Sequence, residues 1–318
     1  MKVISVLTPC YNEGENVIET YTQIKKQLEL LRQESGYEYE HIWIDNASTD
    51  DTVKKLKDLA KNDKRLKIIV NAKNAGFVRS CHYGFLQCYG DAVIFLEADL
   101  QTPPEMIGVF VKKWEEGYKI VAGVKASSKE NFIMFRIRKM FYSILQKFSE
   151  TKLINNFLGV GLYDQSFIEE LRKIEDPYPY FRGMVADLGT DVVEVPYNQD
   201  VRTKGKSSFN FYRLFDVAML GFVNQTKLPI RLATFIGGIM AAFSMLLAII
   251  TAIRKLLYWD TYTIGLAGVS VGLFFFASVQ LLFLGIIGEY VSAIFIQVRK
   301  RPLVIERERI NFDEIQDE

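Results

Sequence analysis

The first 125 residues alternate between short apolar runs and longer segments in which apolar residues recur at helical spacing. The apolar runs predict strands at Val3–Leu7, His41–Asp45, Leu66–Val70 and Ala92–Leu96. The helical patterns between them predict helices over about 15–33, from a cap at Ser48 or Asp50 to about 60, and over about 76–89. This alternation predicts an α/β fold: a mostly parallel sheet with helices on both faces.

Polar clusters follow all four predicted strands, as TPCYNE, DNASTD, NAKNAG and EADLQ. The carboxyl ends of parallel strands form one edge of a sheet, and ligands bind in the crevice there. We therefore expect a binding site at this edge. No G-x-G-x-x-G follows the first strand, so the pattern does not indicate a dinucleotide fold.

The second half of the chain contains two long uncharged runs, at residues 232–253 and 264–288. Each reaches the roughly 20 residues that a helix needs to span a bilayer. They predict a two-helix transmembrane hairpin over 229–298. Lys227, Arg231 and residues 299–301 outweigh the basic pair 254–255 in the link, which places the large domain in the cytoplasm by the positive-inside rule.

The amino-acid composition limits the classes of molecule that the protein could bind. The formal net charge of +1 gives no global basic field, so it does not indicate a nucleic acid. The three cysteines have no metal-site spacing and fit a reducing compartment. Residues 129–152 interleave Arg136 and Arg138 with aromatic residues, which is typical of a helix in a membrane interface and also of an ordinary amphipathic surface helix.

Two carboxylates, Glu97 and Asp99, follow the fourth apolar run in FLEADLQTPPE. Strand alternation would point both to one side, where they could face one cation. Mg²⁺ or Mn²⁺ suits one or two carboxylates completed by waters and substrate phosphates. The alternative is that the pair caps a helix starting at Pro103-Pro104.

These clusters resemble, in order and separation, the inverting glycosyltransferases of family 2, which have the GT-A fold. The matching segments are Thr8–Glu13, Asp45–Thr52, Asn74–Gly76, Gly90-Asp91 and Glu97–Pro104. The uncharged runs and the segment Val201–Phe209 narrow the resemblance to polyprenyl-phosphate glycosyltransferases, the group of bactoprenol glucosyltransferases and dolichyl-phosphate mannose synthases. The resemblance covers nearly the whole chain.

The resemblance implies a UDP-sugar donor and a divalent metal, Mg²⁺ or Mn²⁺. The implied nucleotide-binding residues are Pro9, Tyr11, Glu13, Asp45, Asn74 and Asp99, and the implied metal ligands are Asp99 and Glu97. For Asp45 the alternative is a helix cap. The chain departs from the family at Glu97, where aspartate is more common, and at Thr102, which stands in place of another aspartate.

The implied acceptor is undecaprenyl phosphate. A phosphate is already ionised at neutral pH, so it needs cations rather than a general base. The candidates for holding the acceptor phosphate or the diphosphate are Lys125, Arg136, Arg138, Arg182, Arg202, Lys206 and Ser207. The family's Gly-Asp-Phe-Arg element is missing from Asn155–Asp164, and Asp164 or Asp187 could still orient the sugar or the acceptor.

Four parts are predicted: a nucleotide-sugar-binding half at 1–125, an acceptor half with interfacial helices at 126–228, the transmembrane hairpin at 229–298 and a cytoplasmic tail at 299–318. The expected location is a bacterial inner membrane. Small residues at Gly237-Gly238 and Gly285–Gly288 could support a homo-oligomer.

The sequence thus predicts an enzyme that moves a hexose, glucose being the first choice, from a UDP-sugar to polyprenyl phosphate. The alternatives are transfer from GDP-mannose and a scaffold that binds nucleotide sugar or lipid without turnover. A processive polysaccharide synthase is disfavoured because the chain lacks further spans and a Gln-x-x-Arg-Trp element.

Overall fold

The computed structural model of the 318-residue chain describes residues 1–126, 153–176, 179–199, 228–257, 266–299 and 301–312. The strands are β1 (Val3–Cys10), β2 (Glu38–Asp45), β3 (Leu66–Asn71), β4 (Ala92–Phe95), β5 (Ile120–Lys125), β6 (Phe157–Asp164), β7 (Val192–Tyr197) and β8 (Glu306–Ile310). The helices are α1 (Val17–Ser35), α2 (Thr52–Ala60), α3 (Phe77–Leu86), α4 (Met106–Glu115), α5 (Gln165–Arg172), α6 (Phe181–Leu188), α7 (Leu228–Leu257) and α8 (Leu266–Val298).

All eight strands belong to one sheet, in the order β7-β5-β6-β4-β1-β2-β3-β8. Its centre is parallel, because β1 pairs in parallel with both β2 and β4, and β2 pairs in parallel with β3. β6 runs antiparallel between β4 and β5, and β7 lies parallel to β5. The predicted α/β fold with a mostly parallel sheet is confirmed.

The central strands are apolar on both faces because helices cover both faces. Ile42 and Ile44 of β2 lie in one buried cluster, and Trp43 between them lies in the other. All three side chains have 0% exposure. Two-sided burial of this kind requires continuous apolar runs rather than alternating ones, which is the pattern that predicted these strands.

Residues 306–310, which the sequence places in a terminal tail, form an edge strand of the same sheet. β8 pairs antiparallel with β3, and the Ala72 N–H donates to the Ile305 carbonyl at 2.7 Å. The Asn311 side-chain amide donates to the carbonyls of Ala60 and Leu66, both at 2.9 Å. The chain therefore returns to the first domain after the long apolar helices.

α7 and α8 carry the two uncharged runs and contain 30 and 33 residues. Within the described residues, one stretch, Phe275–Ser292 of α8, has the length and hydropathy of a membrane span, and none of it is buried. The expected two-helix transmembrane hairpin is therefore not confirmed. The expected interfacial helix at 129–152 lies outside the described residues.

Candidate functional site

The carboxyl ends of β4, β1, β2 and β3 lie side by side, and the loops that follow them form one edge of the sheet. We call these loops, residues 11–16, 46–51, 72–76 and 96–105, the rim. Three rim residues that are not glycine have left-handed backbone: Asn12 at φ 54°, Ala47 at φ 62° and Leu100 at φ 56°. Such conformations are uncommon and cluster at functional sites, because the surrounding structure must hold them.

The first two rim loops are joined by hydrogen bonds between side chains and backbone. The Asn12 N–H donates to Ser48 Oγ at 2.8 Å, and the Thr49 N–H donates back to Asn12 Oδ1 at 2.8 Å. The Glu13 N–H donates to Thr52 Oγ1 at 3.0 Å. These bonds satisfy loop backbone groups that would otherwise depend on water, so they hold the loops in one arrangement.

The second and third loops are joined through asparagine side chains. Asn46 Nδ2 donates to Asn74 Oδ1 at 3.0 Å, and Asn46 Oδ1 accepts from the Ala75 N–H at 2.9 Å. Asn71, at the end of β3, donates to the same Asn46 oxygen at 3.2 Å. Asn74 therefore lies in the rim, and its exposed position leaves room for a ligand.

Asp45 ends β2 and is fully buried. Its carboxylate accepts from the Ser48 N–H at 2.9 Å and from the Ser48 hydroxyl. Burial raises the pKa of Asp45, and these hydrogen bonds act in the opposite direction. The carboxylate thus shapes the second rim loop, and α2 begins later, with Asp51 as its N-cap.

Glu97 and Asp99 follow β4 at the same edge. The strand ends at Phe95, and the turn formed by the next residues leaves both carboxylates half-buried around buried Ala98. The Thr20 hydroxyl, fully buried on α1, donates to the Ala98 carbonyl at 2.7 Å. The Gln101 N–H donates to Asp99 Oδ1 at 3.1 Å. The acidic pair is therefore fixed by helix α1 and by its own turn.

Tyr197 and Lys125 lie opposite each other at the carboxyl ends of β7 and β5. Burial raises the pKa of the Tyr197 phenol, and the negative charges of Glu97 and Asp99 raise it further. The phenol therefore stays neutral beside the acidic pair at physiological pH. No local sequence pattern marks Tyr197, because almost 100 residues separate it from these carboxylates.

Two other predicted site residues, Arg182 and Asp164, lie at opposite edges of the sheet. Arg182 lies in the first turn of α6, next to Phe181, whose ring atom Cδ1 lies 3.7 Å from where a Gly159 side chain would begin. Since Gly161 pairs with Phe95, the chain around Gly159 continues past the carboxyl end of β4. Arg182 therefore lies on the same edge as the acidic pair.

Asp164 is not brought to this edge. It pairs with Ala92, the first residue of β4, roughly 16 Å of strand away from Glu97 at about 3.3 Å per residue. Its carboxylate caps α5 by accepting from the Ser166 N–H at 3.1 Å, and it also accepts from Trp114 Nε1 at 2.8 Å. This placement gives Asp164 a structural role, so it is not part of the site proposed below.

The remaining predicted site residues lie either at the end of β1 and in the rim or outside the described residues. Pro9 is buried in β1, whereas Tyr11 and Glu13 follow it half-buried in the rim. The Glu13 carboxylate accepts from Asn16 Nδ2 at 2.6 Å. Arg136, Arg138, Arg202, Lys206 and Ser207 lie outside the described residues.

The two histidines predict how stability depends on pH. Burial lowers the pKa of His82 to about 4 and that of His41 to about 3, from an ordinary value of 6.5. Below pH 6.5 the unfolded chain therefore binds protons that the folded chain does not, so stability falls as the pH falls. Each histidine contributes a slope of up to about 1.4 kcal/mol per pH unit between about pH 6 and its folded pKa.

The His82→Leu variant tests this expectation. His82 is 1% exposed, and neither ring nitrogen has a hydrogen-bond partner, so leucine leaves no polar group unpaired. We expect its thermal midpoint in detergent to fall less than that of the wild type between pH 7 and pH 4.5. Parallel curves for the two proteins would contradict the assignment.

The acidic pair fits a divalent metal by its chemistry, although the described residues contain no group of three or more histidine, cysteine or carboxylate side chains suited to one. Mg²⁺ and Mn²⁺ are commonly held by one or two carboxylates and completed by water and substrate phosphates. Two half-buried carboxylates on a fixed turn meet that requirement.

Comparison with known proteins gives the family. Residues 5–172, more than half of the chain, match the protein family described as "Glycosyl transferase family 2". CsbB of Bacillus subtilis (strain 168), a putative glycosyltransferase, is 32% identical over 96% of this chain and 92% of its own length. The SfII prophage-derived bactoprenol glucosyl transferase of Shigella flexneri is 29% identical over 95% of this chain and 96% of its own length.

Among solved structures, the mannosyltransferase PcManGT from Pyrobaculum calidifontis, in complex with GDP-Man and Mn²⁺, matches with a TM-score of 0.46 and 15% identity. The match covers 93% of this chain and 86% of that one. The match to the family over more than half of the chain, and that to CsbB over nearly all of it, establish that the chain belongs to glycosyl transferase family 2 and is a glycosyltransferase.

Proposed function

We propose that the enzyme transfers a hexose, most simply glucose, from a UDP-sugar to a polyprenyl phosphate such as undecaprenyl phosphate. The observation that carries the proposal is the fixed acidic pair, Glu97 and Asp99, at the edge of the sheet to which the chain returns from its long apolar helices. The similarity to bactoprenol glucosyl transferases over nearly the whole chain supports the choice of sugar and lipid.

The donor would lie along the rim, with its diphosphate at β4 and its nucleoside toward β2 and β3. Glu97 and Asp99 would hold Mg²⁺ or Mn²⁺, which supplies positive charge to the diphosphate as it leaves. Tyr11, Glu13 and Asn74 would contact the nucleoside. Asp45 would act mainly through the loop that it holds, because its carboxylate is fully buried against Ser48.

The acceptor would be a phosphate rather than an alcohol. In transfer, an oxygen of the lipid phosphate forms a bond to the anomeric carbon while the bond from that carbon to UDP breaks, and UDP leaves with the electron pair. This displacement needs no general base, because the phosphate is already ionised. The absence of Asp164 from the rim agrees with such an acceptor, and Lys125 and Arg182 are described cations at the right edge.

The return of the chain to the sheet supports the proposal that its long apolar helices cross a membrane. β8 belongs to the same sheet as β1 to β7, so the sheet domain and the strand that follows α8 would lie on one side of a bilayer. A chain that leaves and returns to one side crosses an even number of times. We infer that α7 and α8 cross together, with the catalytic domain at the cytoplasmic face of a bacterial inner membrane.

Exposed apolar side chains along both helices support this inference. Phe235 and Leu257 of α7 are 68% and 70% exposed, and Leu281 and Val298 of α8 are 68% and 73% exposed. Apolar surface of this extent marks contact with another apolar phase. At 1.5 Å per residue, both helices exceed the roughly 30 Å of a hydrocarbon core.

The length of the connection also brings the rim near the bilayer. Residues 299–305 join the end of α8 to β8, which begins beside Asn71 at the carboxyl end of β3. A connection of that length spans less than roughly 30 Å even when fully extended. The rim would therefore lie within reach of a lipid headgroup.

An assay of labelled lipid tests the proposal. The full-length chain is incubated with UDP-[¹⁴C]glucose, Mg²⁺ or Mn²⁺, and either undecaprenyl phosphate or undecaprenol. We expect label in the organic phase with the phosphate only, and loss of that product when EDTA removes the metal. Product with undecaprenol would contradict a phosphate nucleophile. No product with UDP-glucose, other UDP-hexoses or GDP-mannose would favour a non-catalytic scaffold.

A further inference from the structure

One positively charged residue of strand β8, Arg307, has no evident structural role. Four of its five residues, Glu306-Arg-Glu-Arg-Ile310, are charged. Arg309 pairs with Glu306 at 2.6 Å, and Glu308 pairs with Lys57 at 2.5 Å. Arg307 is exposed, and no described residue forms a hydrogen bond or an ion pair with it. The ion pairs of Arg309 and Glu308 help to hold β8 in place, whereas Arg307 makes no such contact.

A bulge places Arg307 at the rim. Val70 pairs with Glu308, and Asn71 pairs with Glu306, so Arg307 is the extra residue between two registered pairs. Bulges of this kind redirect a side chain and occur next to active sites. Asn71 belongs to the asparagine network of the second and third rim loops, so Arg307 lies beside that network.

The register also relates Arg307 to Asp45. Asp45 pairs with Val70, and Val70 pairs with Glu308, so β2, β3 and β8 form one row across the rim. Two strand spacings separate the ends of this row, roughly 10 Å. Burial raises the pKa of Asp45, and the positive charge of Arg307 acts against that rise, which agrees with a guanidinium directed toward β2.

We propose that Arg307 contacts the nucleobase of the donor, so that the strand following the apolar helices completes the donor site. The inference rests on the proposed function, because it requires a nucleotide donor. With the diphosphate at β4, the base would extend toward β2 and β3, where Arg307 lies. A planar guanidinium can stack on a base or donate to its carbonyl oxygens, which a lysine does less well.

Calorimetric binding of UDP, UMP and uridine to the full-length chain with Mg²⁺ tests this proposal. In Arg307→Ala we expect Kd to rise about tenfold for all three ligands, because the lost contact is to the part that they share. Arg307→Lys should recover only part of the affinity. The thermal midpoint should not change, because the side chain is exposed and unpaired.

Arg309→Ala is the matched control, since it breaks the ion pair with Glu306 while leaving Arg307 in place. An equal loss of affinity in this variant would show that strand docking matters rather than the Arg307 side chain. A loss for UDP without a loss for uridine would identify a phosphate contact and overturn the base contact.

Two further outcomes separate this inference from the proposed function. Normal UDP binding by Arg307→Ala, with wild type also binding, would overturn the role of Arg307 and leave the proposed function intact. A wild-type chain that binds neither UDP nor GDP would overturn both.

Discussion

Replacing Asp99 with asparagine is expected to lower the rate of glycosyl transfer by at least about 10³-fold while leaving the fold intact. The substitution keeps the size of the side chain, and the oxygen that accepts from the Gln101 N–H can remain. It removes the negative charge that would hold the metal. A metal stabilises the leaving group by several kcal/mol, which corresponds to about 10³-fold in rate at 1.4 kcal/mol per factor of ten.

Asp58→Asn is the matched control for this variant. Asp58 is exposed on α2, is not part of the rim and pairs with Lys61 at 2.7 Å. Loss of this exposed ion pair is expected to have little effect on stability. Transfer is measured as labelled lipid product under saturating donor. Glu97→Gln should have a smaller effect than Asp99→Asn if its longer side chain reaches the metal through water. Near-normal transfer by Asp99→Asn would contradict the metal role.

Replacing Gly161 with alanine is expected to destabilise the sheet by about 3 kcal/mol, because overpacking against backbone is poorly relieved. Gly161 lies in β6 between β4 and β5, opposite Phe95 and Ala122. A Cβ at this position would lie 2.2 Å from the Val121 carbonyl oxygen. Since that oxygen belongs to the backbone of a neighbouring strand, β5 and β6 would have to move apart.

Gly108→Ala is the control for the effect of an added methyl group. Gly108 lies in α4, and a Cβ there would have no neighbour within 4 Å. Alanine should raise stability at this helical position by about 0.5–1 kcal/mol. Thermal midpoints of the two variants in detergent should therefore move in opposite directions. A Gly161→Ala protein as stable as wild type would show that β5 and β6 separate easily.

Much of the parallel centre of the sheet could be predicted from the sequence, because its signals are local. The last parts of β2 and β3 contain uninterrupted apolar residues, Ile42–Ile44 and Ile68–Val70, as strands buried on both faces require, and polar clusters mark their carboxyl ends. Observed strand and helix ends differ from the predicted ones by only a few residues. The residues of the rim were found for the same reason, since each follows its strand directly.

β8 could not be predicted because none of its signals is local. It is charged at four of five positions, and its partner β3 lies more than 200 residues earlier in the chain. Charged edge strands are common because they discourage further pairing, so they lack the apolar alternation that identifies other strands. Tyr197 was missed for a related reason, since only the pairing of β7 with β5 brings it to the acidic pair.

Asp164 shows that the direction of a strand decides the edge of the sheet at which its last residue lies. Asp164 is the last residue of β6, and in a fully parallel sheet the end of that strand would lie at the rim. β6 runs antiparallel to β4, however, so the end of β6 lies at the edge opposite the rim. Its carboxylate then serves α5, Trp114 and Lys119. The sequence pattern around Asp164 contains no information on that direction.

Binding of Mn²⁺, followed by electron paramagnetic resonance, tests the central claim most directly. The claim is that Glu97 and Asp99 hold the divalent ion together with the donor diphosphate. Adding UDP to the full-length wild-type chain should convert the signal of free Mn²⁺ to that of one bound ion per chain, and Asp99→Asn should give only the signal that UDP gives without protein. Equal UDP-dependent Mn²⁺ binding by Asp99→Asn and wild type would contradict the account.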